Sequence, residues 1–451
     1  MLAANAAREF DLLVEGATVV TMDAQDTTID DCVIGVTNGS ITLLEKRRPD
    51  ASYLANEVID ARGMVALPGF VNTHTHCFQS LLKGLGADLP LIGWLNSSVQ
   101  PFGVRVTHRQ QELAALLTCM EALKSGCTTL CEFFYTNQDP ELADVCVEAM
   151  RRTGIRSVLM RTFQDLGQEY NTPDCYIEPV ETALAEVERL GRTYDDGDML
   201  SVWAGPDVTW ATSKRGYEKT LEYCLAAGVR YTMHLKETPE DDDMCRRYYG
   251  TGIVELLDKI GFLTSKFLAV HCVGLDEHEV ELFAERGVSV SHNPATNLYL
   301  GSGIAPIPAL LAAGANVCLG TDGAASNNAT DMLDAMRLAA LMQKGALRDA
   351  TAMSARDVVR MATVGGAKAL GREGELGTIE VGKRADLVLF DPNHLKSTPM
   401  HDPLATVVYS SSLENIDTTI VNGTVAYRKG RFACGVEEAE LLEWIRDELR
   451  A

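Results

Sequence analysis

The stretch Gly69-Phe70-Val71-Asn72-Thr73-His74-Thr75-His76 places two histidines at the end of a strongly apolar segment. The preceding residues 64–68 are apolar and bounded by Gly and Pro, a pattern typical of a buried strand that runs into the motif. Side chains two positions apart on a strand point to the same face, so His74 and His76 project side by side. Two such imidazoles suit one metal ion, although a His-x-His pair alone also fits two polar residues at a strand end.

Strand and helix patterns alternate from residue 64 to about residue 346. Amphipathic helical segments separate the strands, and several of these segments end at a Gly. After the first strand, the predicted strands are 127–135, 155–163, 200–210, 229–237, 267–274, 288–294 and 316–323. Together they make eight, the number of strands in a closed parallel (β/α)8 barrel of the TIM type.

Both ends of the chain are rich in strand patterns. Short strands and turns fill residues 10–62, and strands return after a predicted helix at 355–371. We therefore predict an α/β fold in which both termini form one small β domain, residues 1–63 and 376–451. The barrel is predicted over residues 64–375.

The composition limits the classes of function. The 451 residues carry a formal net charge of −23, which argues against nucleic acid or an anionic membrane as partner, because both need basic patches. No apolar stretch is long enough to cross a bilayer, and residues 1–13 lack the pattern of a secretory signal. The 12 cysteines include no Cys-x-x-Cys pair, which favours reduced thiols in a cytoplasmic protein.

Four predicted barrel strands end in metal-binding or titratable side chains, and parallel barrels carry their functional residues at these ends. The set is His74, His76, His234, Glu237, His271 and Asp322. Three neutral imidazoles and one carboxylate suit Zn²⁺, with one coordination position left for water. We therefore predict a mononuclear metal site that lowers the pKa of a water molecule toward about 7.

This set of side chains predicts hydrolysis at an sp² carbon. Glu237 is the candidate for moving a proton from the water to the substrate. Asp322 could bind the metal and also accept a proton, and His271 could either bind the metal or orient the water. Neither the Gly-x-Ser-x-Gly motif nor the His-x-Glu and Pro-Cys-x-x-Cys motifs of other zinc deaminases occurs in the sequence.

Several motifs together resemble the amidohydrolase superfamily, specifically its aminohydrolase and chlorohydrolase branch. The matching segments are 67–76, 271–273, 291–298, 320–328 and 382–387. Within that branch the chain resembles methylthioadenosine/S-adenosylhomocysteine deaminases, and it is also similar to melamine deaminase and atrazine chlorohydrolase. The resemblance implies a distorted (β/α)8 barrel with a small β-sandwich built from both termini.

The resemblance also implies a role for each residue of the predicted site. The metal, Zn²⁺ with Fe²⁺ as the alternative, would be held by His74, His76, His234 and Asp322. Glu237 would transfer the proton, and His271 would polarise the water.

Two departures from the adenosine-type deaminases bear on the substrate. Those enzymes carry a Glu before the Trp that follows the first strand, where this chain has Gly93 before Trp94. They also carry a His on the fourth strand, where this chain has Asp207. The sequence therefore predicts, as alternatives to a nucleoside substrate, a free base, a pterin, a triazine or a small cyclic amide or urea. Candidate substrate contacts are Gln79, Trp94, Arg161, Asp207, Asn297 and Ser326.

Three of these contacts have equally good structural interpretations. Gln79 could bond backbone groups, Trp94 could pack in the core, and Asp207 could bond loop amides.

The sequence thus predicts a metal-dependent hydrolase of a non-peptide C–N bond in a nitrogen heterocycle, with hydrolytic deamination and release of ammonia as the first choice. Alternatives are removal of chloride or an alkylamine from a triazine-like ring, and opening of a cyclic amide or urea. Residues 200–211 contain no Lys, which argues against the bridging carbamylated Lys of dinuclear relatives. A catalytically inactive barrel with a structural role is the alternative of another class. The expected partners are a small-molecule substrate and, by analogy only, further copies of the chain.

Overall fold

The computed structural model describes residues 8–49, 52–167 and 170–450. The strands in the first half of the chain are β1 (Arg8–Val20), β2 (Thr28–Thr37), β3 (Ser40–Lys46), β4 (Tyr53–Asp60), β5 (Val65–Pro68), β6 (Phe70–Thr75), β7 (Cys127–Phe134), β8 (Arg156–Phe163) and β9 (Leu200–Pro206). The later strands are β10 (Tyr231–Leu235), β11 (Phe267–His271), β12 (Ser289–His292), β13 (Asn316–Leu319), β14 (Leu387–Phe390), β15 (Ile416–Val421), β16 (Thr424–Arg428) and β17 (Arg431–Phe432).

The helices lie mostly between the strands. They are α1 (Leu91–Trp94), α2 (Gln100–Gly103), α3 (His108–Lys124), α4 (Glu141–Thr153), α5 (Val180–Tyr194), α6 (Lys214–Ala227), α7 (Glu240–Tyr249), α8 (Ile253–Lys259), α9 (Glu277–Arg286), α10 (Pro294–Tyr299), α11 (Ile307–Ala313), α12 (Ala324–Asn327), α13 (Met332–Leu347), α14 (Ala355–Arg360), α15 (Gly366–Leu370), α16 (Pro403–Tyr409) and α17 (Glu438–Glu448). None of these described helices combines the length and apolarity needed to span a bilayer.

Strands β6 to β13 form one parallel sheet whose spatial order follows the chain order. The two edges of this sheet meet, because the N–H of Asp322 donates to the carbonyl of His74 at 2.9 Å. The Thr73 hydroxyl likewise donates to the carbonyl of Leu319 at 2.9 Å. The sheet is thus a nearly closed barrel, and its strands are buried on both faces, as expected of parallel strands covered by helices. The predicted fold class is confirmed.

The terminal strands form a second sheet in the order β17-β16-β15-β14-β5-β1-β2-β3, with β4 also paired to β1. Both ends of the chain therefore build this second sheet, as predicted, and the described strands are hydrogen-bonded into one continuous mixed sheet. The domain bounds 1–63, 64–375 and 376–451 stay a prediction.

The sequence predicts that residues 64–68 run into the first barrel strand, but the structure places a separate strand there. Strand β5 pairs with β1 and β14 in the terminal sheet, and only β6 belongs to the barrel. Gly69 separates the two strands and lies against β7. A β-carbon at Gly69 would lie 2.2 Å from the side chain of Thr128, so only glycine fits at this crossing from one sheet to the other.

A buried ion-pair cluster ties the barrel to the terminal sheet. The guanidinium of Arg156, at the start of β8, donates to both carboxylate oxygens of Asp386 at 2.9 and 3.1 Å. It also donates to Asp198 at 2.8 Å, and Asp386 immediately precedes β14. Because Arg156 and Asp386 are both buried, the attraction between them acts with little screening by solvent.

Several predicted strands extend past the point at which the structure ends them. The strand predicted over 267–274 ends at His271, and the strand predicted over 316–323 ends at Leu319. His271 and Asp322 have positive φ angles of 74° and 66°, which an extended strand does not allow. The sharp turns at these strand ends direct the last side chains across the mouth of the barrel, and such strained backbone is typical of functional sites.

Candidate metal centre

The predicted metal ligands converge at the carboxyl ends of the barrel strands. The Nε2 atom of His76 lies 3.3 Å from Nε2 of His234 and 3.4 Å from Oδ1 of Asp322. The Nε2 atom of His74 lies 3.5 Å from the same Asp322 oxygen. Ligands bound to one Zn²⁺ at 2.0–2.1 Å in tetrahedral geometry lie about 3.4 Å from each other. These three spacings therefore match those expected between ligands of a single ion.

The outer nitrogens of two histidines are held by hydrogen bonds that orient the imidazoles. Nδ1 of His76 bonds the carbonyl of Phe133 at 2.7 Å. Nδ1 of His234 bonds the backbone carbonyl of Asp207 at 3.0 Å and its carboxylate at 3.1 Å. A nitrogen that bonds such acceptors carries the proton, so each Nε2 of the neutral rings presents a lone pair to the centre.

His74 supplies an independent test of whether a metal fits. Its side chain is fully buried, and neither ring nitrogen has a hydrogen-bond partner among the described residues. Buried imidazole nitrogens are normally satisfied, and a cation bound at Nε2 would satisfy this one. The donor set therefore fits a divalent metal ion.

At neutral pH the charge states of His74, His76 and Asp322 are those that metal binding requires. Burial lowers the pKa of His74 to about 4 and holds the pKa of His76 well below its ordinary value. Burial alone would raise the pKa of Asp322, but the neighbouring imidazoles, His74 first, lower it below its ordinary value. Burial also acts to lower the pKa of His234, but the Asp207 carboxylate outweighs it and raises that pKa. His74 and His76 are thus neutral and Asp322 is ionised, whereas the raised pKa of His234 favours a proton that a bound metal would displace.

Glu237 lies beside this ligand set with a strongly shifted titration. Burial, with a smaller contribution from the charge of Asp322, raises the pKa of Glu237 to about 8. Its Oε2 atom lies 3.5 Å from Nε2 of His271, and its backbone N–H donates to Asp241 at 2.9 Å. A carboxyl group with a pKa near neutrality can both accept and deliver a proton.

His271 reaches both the carboxylates and the ligand set. Its Nδ1 bonds Oδ1 of Asn297 at 2.9 Å, and its Nε2 lies 3.7 Å from Oδ2 of Asp322. Ring nitrogens of His74, His234 and His271 also lie within 4.8 Å of one another. This position allows His271 either to bind a metal or to contact a water molecule beside it.

A cavity opens above the centre, and some of the predicted substrate contacts line it. The lining includes Gln79, Trp94, Asp207 and Ser326. The other two predicted contacts do not belong to the lining. The Arg161 guanidinium bonds the carboxylate of Glu178, and Asn297 supports His271. The structure thus brings the six residues of the predicted centre together. Of the six predicted substrate contacts, four line the cavity and two do not.

Tyr135, Gln164 and Tyr176 are among the lining residues that sequence reasoning missed. Tyr135 and Gln164 each follow the carboxyl end of a barrel strand, which is the one signal that could have found them. The Tyr135 ring packs edge-on against His76, with centroids 4.9 Å apart. Tyr176 lies in a loop beyond β8, and no sequence pattern marks its position.

Comparison with known proteins agrees with this geometry. The sequence model of the Amidohydrolase family matches residues 65–426. The chain is 37% identical over 434 residues to a 5-methylthioadenosine/S-adenosylhomocysteine deaminase of Desulforudis audaxviator, covering 96% of each chain. It is 36% identical over 418 residues to a 5'-deoxyadenosine deaminase of Methanosarcina barkeri, covering 92% of each.

Solved structures give the same result. An adenosine deaminase from Xanthomonas campestris with bound zinc matches at a TM-score of 0.90 and 30% identity, covering 99% of this chain and 100% of the other. A zinc complex of atrazine chlorohydrolase from Arthrobacter aurescens matches at a TM-score of 0.89 and 28% identity, covering 97% and 99%.

Proposed function

The chain belongs to the amidohydrolase family, and from that premise we propose that it hydrolyses an amino-substituted nitrogen heterocycle and releases ammonia. One observation carries the proposal: three imidazoles, the carboxylate of Asp322 and the carboxyl group of Glu237 meet beside one cavity. Relatives and structural neighbours named as deaminases and as a chlorohydrolase of a ring substrate support the same chemistry.

The proposed metal is Zn²⁺, with Fe²⁺ as the alternative, held by His74, His76, His234 and Asp322. Bound there, such an ion supplies the Lewis acidity that makes a water molecule nucleophilic at neutral pH. The Nδ1 hydrogen bonds of His76 and His234 fix the direction of their lone pairs, so the ligands are in place before the ion arrives. Zinc in neighbouring structures supports the choice of metal.

Glu237 is proposed to carry the proton through the reaction. The water oxygen attacks the ring carbon that bears the amino group, a C–O bond forms, and the electrons of the ring C=N bond move to the ring nitrogen. Glu237 accepts the proton of the water at a carboxylate oxygen and delivers it to that nitrogen. When the exocyclic C–N bond breaks, the second water proton reaches the amino group, which leaves as ammonia.

His271 and Asp322 are proposed to assist this transfer. Nε2 of His271 lies close to both carboxylates, so it can bond the attacking oxygen and hold it toward the substrate face. Asn297 fixes the orientation of the His271 ring through Nδ1. Asp322 is ionised, so its second oxygen can take the proton that the attacking water releases last.

The second candidate reaction is the loss of chloride or an alkylamine from a triazine-type ring, which the same attack would achieve with a different leaving group. The similarity to a chlorohydrolase over nearly the whole chain favours it. Gly323 favours deamination, because the deaminases that the sequence resembles carry a Gly after the Asp of the metal site, whereas the chlorohydrolases carry an Asn there. We also propose a cytoplasmic location and the formation of homo-oligomers. All 12 cysteines are free, which is consistent with a cytoplasmic location.

An ammonia-release screen tests the proposed function. Zinc-loaded and iron-loaded protein would be incubated with aminopurines, aminopterins, aminotriazines and chlorotriazines, and ammonia, chloride and alkylamine measured separately. Ammonia from at least one amino-substituted ring, abolished by a chelator and restored by metal, is the expected result. Release of chloride or alkylamine alone would select the second candidate, and no release from any ring would refute both.

A further inference from the structure

Two buried glutamines line the cavity with one end of each carboxamide committed to the protein. Nε2 of Gln164 donates to a carboxylate oxygen of Asp207. A carboxylate only accepts, so the orientation of this amide is fixed with its nitrogen toward Asp207. Oε1 of Gln164 is buried and has no hydrogen-bond partner among the described residues. Gln164 lines the cavity and therefore holds an unused acceptor beside it.

Gln79 repeats this arrangement on another side of the cavity. Its Nε2 donates to the hydroxyl of Tyr135 at 3.0 Å, and its buried Oε1 likewise lacks a partner in the described chain. The side chain is 1% exposed. A β-carbon on Gly323 would lie 2.0 Å from this oxygen, so any larger residue at position 323 would displace the Gln79 carboxamide.

Both carboxylate oxygens of Asp207 already hold hydrogen bonds within the protein. One oxygen bonds Nδ1 of His234 at 3.1 Å, and the other accepts from Gln164. Asp207 therefore links the metal centre to Gln164 and acts as a positioning residue. We therefore assign the direct polar contact with a ligand on this side of the cavity to the unpartnered oxygen of Gln164.

The rest of the lining indicates a neutral, flat ligand. No Lys or Arg belongs to the described lining, so a phosphate or carboxylate substituent would find no cationic partner. The aromatic side chains of Trp94, Tyr135, Tyr176 and Trp210 contribute to its walls. Aromatic side chains of this kind pack well against planar rings.

We infer that Gln79 and Gln164 determine substrate specificity by accepting hydrogen bonds from two N–H groups of a neutral heterocycle, in addition to its leaving amino group. This inference rests on the proposed function and narrows its substrate class. Ring N–H groups occur in oxopurines and oxopterins, and exocyclic ones occur in polyaminotriazines. The purine ring of an adenine nucleoside has none beyond the leaving group, so it offers these buried oxygens no N–H donor.

The experiment compares parent rings with their N-methyl derivatives. Zinc-loaded protein would be assayed for ammonia release from guanine, 1-methylguanine, 9-methylguanine, pterin, melamine and 5'-deoxyadenosine. At least one ring with two additional N–H donors should be turned over with kcat/KM at least about 100-fold above 5'-deoxyadenosine, and methylation at a contacted nitrogen should cost a similar factor. Equal efficiency with 5'-deoxyadenosine would overturn the inference while leaving the proposed function in place.

The variants Gln79→Leu and Gln164→Leu separate recognition from structural damage. Each should lower kcat/KM for the parent ring and reduce the ratio between parent and N-methyl derivative toward one, with metal content unchanged. A variant that only perturbs folding would lower both rates alike and keep the ratio. Gln111→Leu is the matched control, because Gln111 is also a fully buried glutamine but does not line the cavity.

Binding measurements keep the inference testable apart from turnover. Calorimetric titration of the Glu237→Gln protein with guanine and its two methyl derivatives reports recognition without reaction. The inference is supported if guanine binds more tightly than its methyl derivatives and if adding Gln164→Leu to this protein removes the difference. This holds even if no ring released ammonia, because that outcome would refute the proposed function alone. Equal binding of all three ligands would overturn the inference.

Discussion

The Nε2 atoms of His76 and His234 lie 3.3 Å apart, although in their neutral forms neither ring can donate a hydrogen bond to the other. Each Nδ1 carries the proton, because it bonds a carbonyl or carboxylate oxygen behind the ring. Two lone pairs that face each other at this distance repel, and a cation between them reverses the sign of the interaction. The pair is therefore the most direct structural indication of a shared metal ion.

His234→Ala should remove the metal. The variant loses one imidazole of the proposed set and leaves His76 without its counterpart, so we expect the metal content after dialysis to fall from about one ion per chain to nearly none. Elemental analysis measures this directly. His278→Ala, at an exposed histidine on α9, should retain the metal. Full occupancy in His234→Ala would contradict the role of His234 as a ligand.

Glu237→Gln should keep the metal and lose turnover. The amide preserves the size of the side chain but cannot accept and deliver a proton, so kcat should fall by about 100-fold to 10,000-fold. Ammonia release and elemental analysis on the same sample separate the two effects. The exposed Glu281→Gln serves as the control and should match the wild type. Unchanged kcat in Glu237→Gln would refute its proton-transfer role.

The barrel and its centre were predictable because both depend on local patterns. A short apolar run predicts a parallel strand, and the residue that follows it must lie at the mouth of the barrel. His234 and His271 lie in the last two residues of such strands and Asp322 lies just beyond one, so their convergence follows from topology alone. Exact bond partners were not needed for this step.

The cavity wall was not predictable in the same way, because it depends on contacts between distant residues. Arg161 follows the same strand-end pattern as the metal-centre residues, yet its guanidinium bonds Glu178 in a later loop. Tyr176 enters the cavity from that loop, which has no periodic pattern. The division between β5 and β6 was also hidden, since an apolar strand can continue in either sheet and only the close approach of Gly69 to Thr128 decides the crossing.

Glu132 should make the stability of the protein depend on pH. Burial raises the pKa of Glu132 to about 8, and its carboxyl accepts from the N–H of Cys77 at 2.7 Å, directly after His76. The folded state therefore holds a proton that the unfolded chain releases near its ordinary pKa. This contribution to stability is fully present below the unfolded pKa and is lost as the pH rises through about 8.

Glu132→Gln should remove that dependence, because its amide oxygen can still accept from Cys77 and has no proton to lose. The Tm of the variant relative to wild type should therefore rise between pH 5 and pH 9, as measured by thermal unfolding in matched buffers. Glu440→Gln, at an exposed position on α17, should show a constant difference. A constant difference for Glu132→Gln as well would show that Glu132 is ionised in the folded state.

Asp386→Ala should destabilise the junction between barrel and terminal sheet. It leaves the buried Arg156 guanidinium with only Asp198 as a carboxylate partner, so the free energy of unfolding should fall by about 3–5 kcal/mol. Denaturant unfolding measures the loss. Arg192→Ala, which breaks an exposed pair with Glu188, should change stability by less than about 1 kcal/mol. A similarly small change in Asp386→Ala would mean that the buried pair contributes nothing net.

Asp207→Asn should alter substrate preference more than metal content. The Asn oxygen can still accept from Nδ1 of His234, so the metal should remain bound. Its NH₂ group would then face the NH₂ group of Gln164, and two donors cannot bond each other. The Gln164 amide should therefore rotate by about 180° and present its nitrogen to the cavity. Rings with an acceptor at that edge, where a ring nitrogen carries no hydrogen, should gain relative to N–H parents. Kinetics on guanine and on 2-aminopurine, whose N1 carries no hydrogen, measure this ratio, and a wild-type ratio would show that Asp207 does not set the orientation of Gln164.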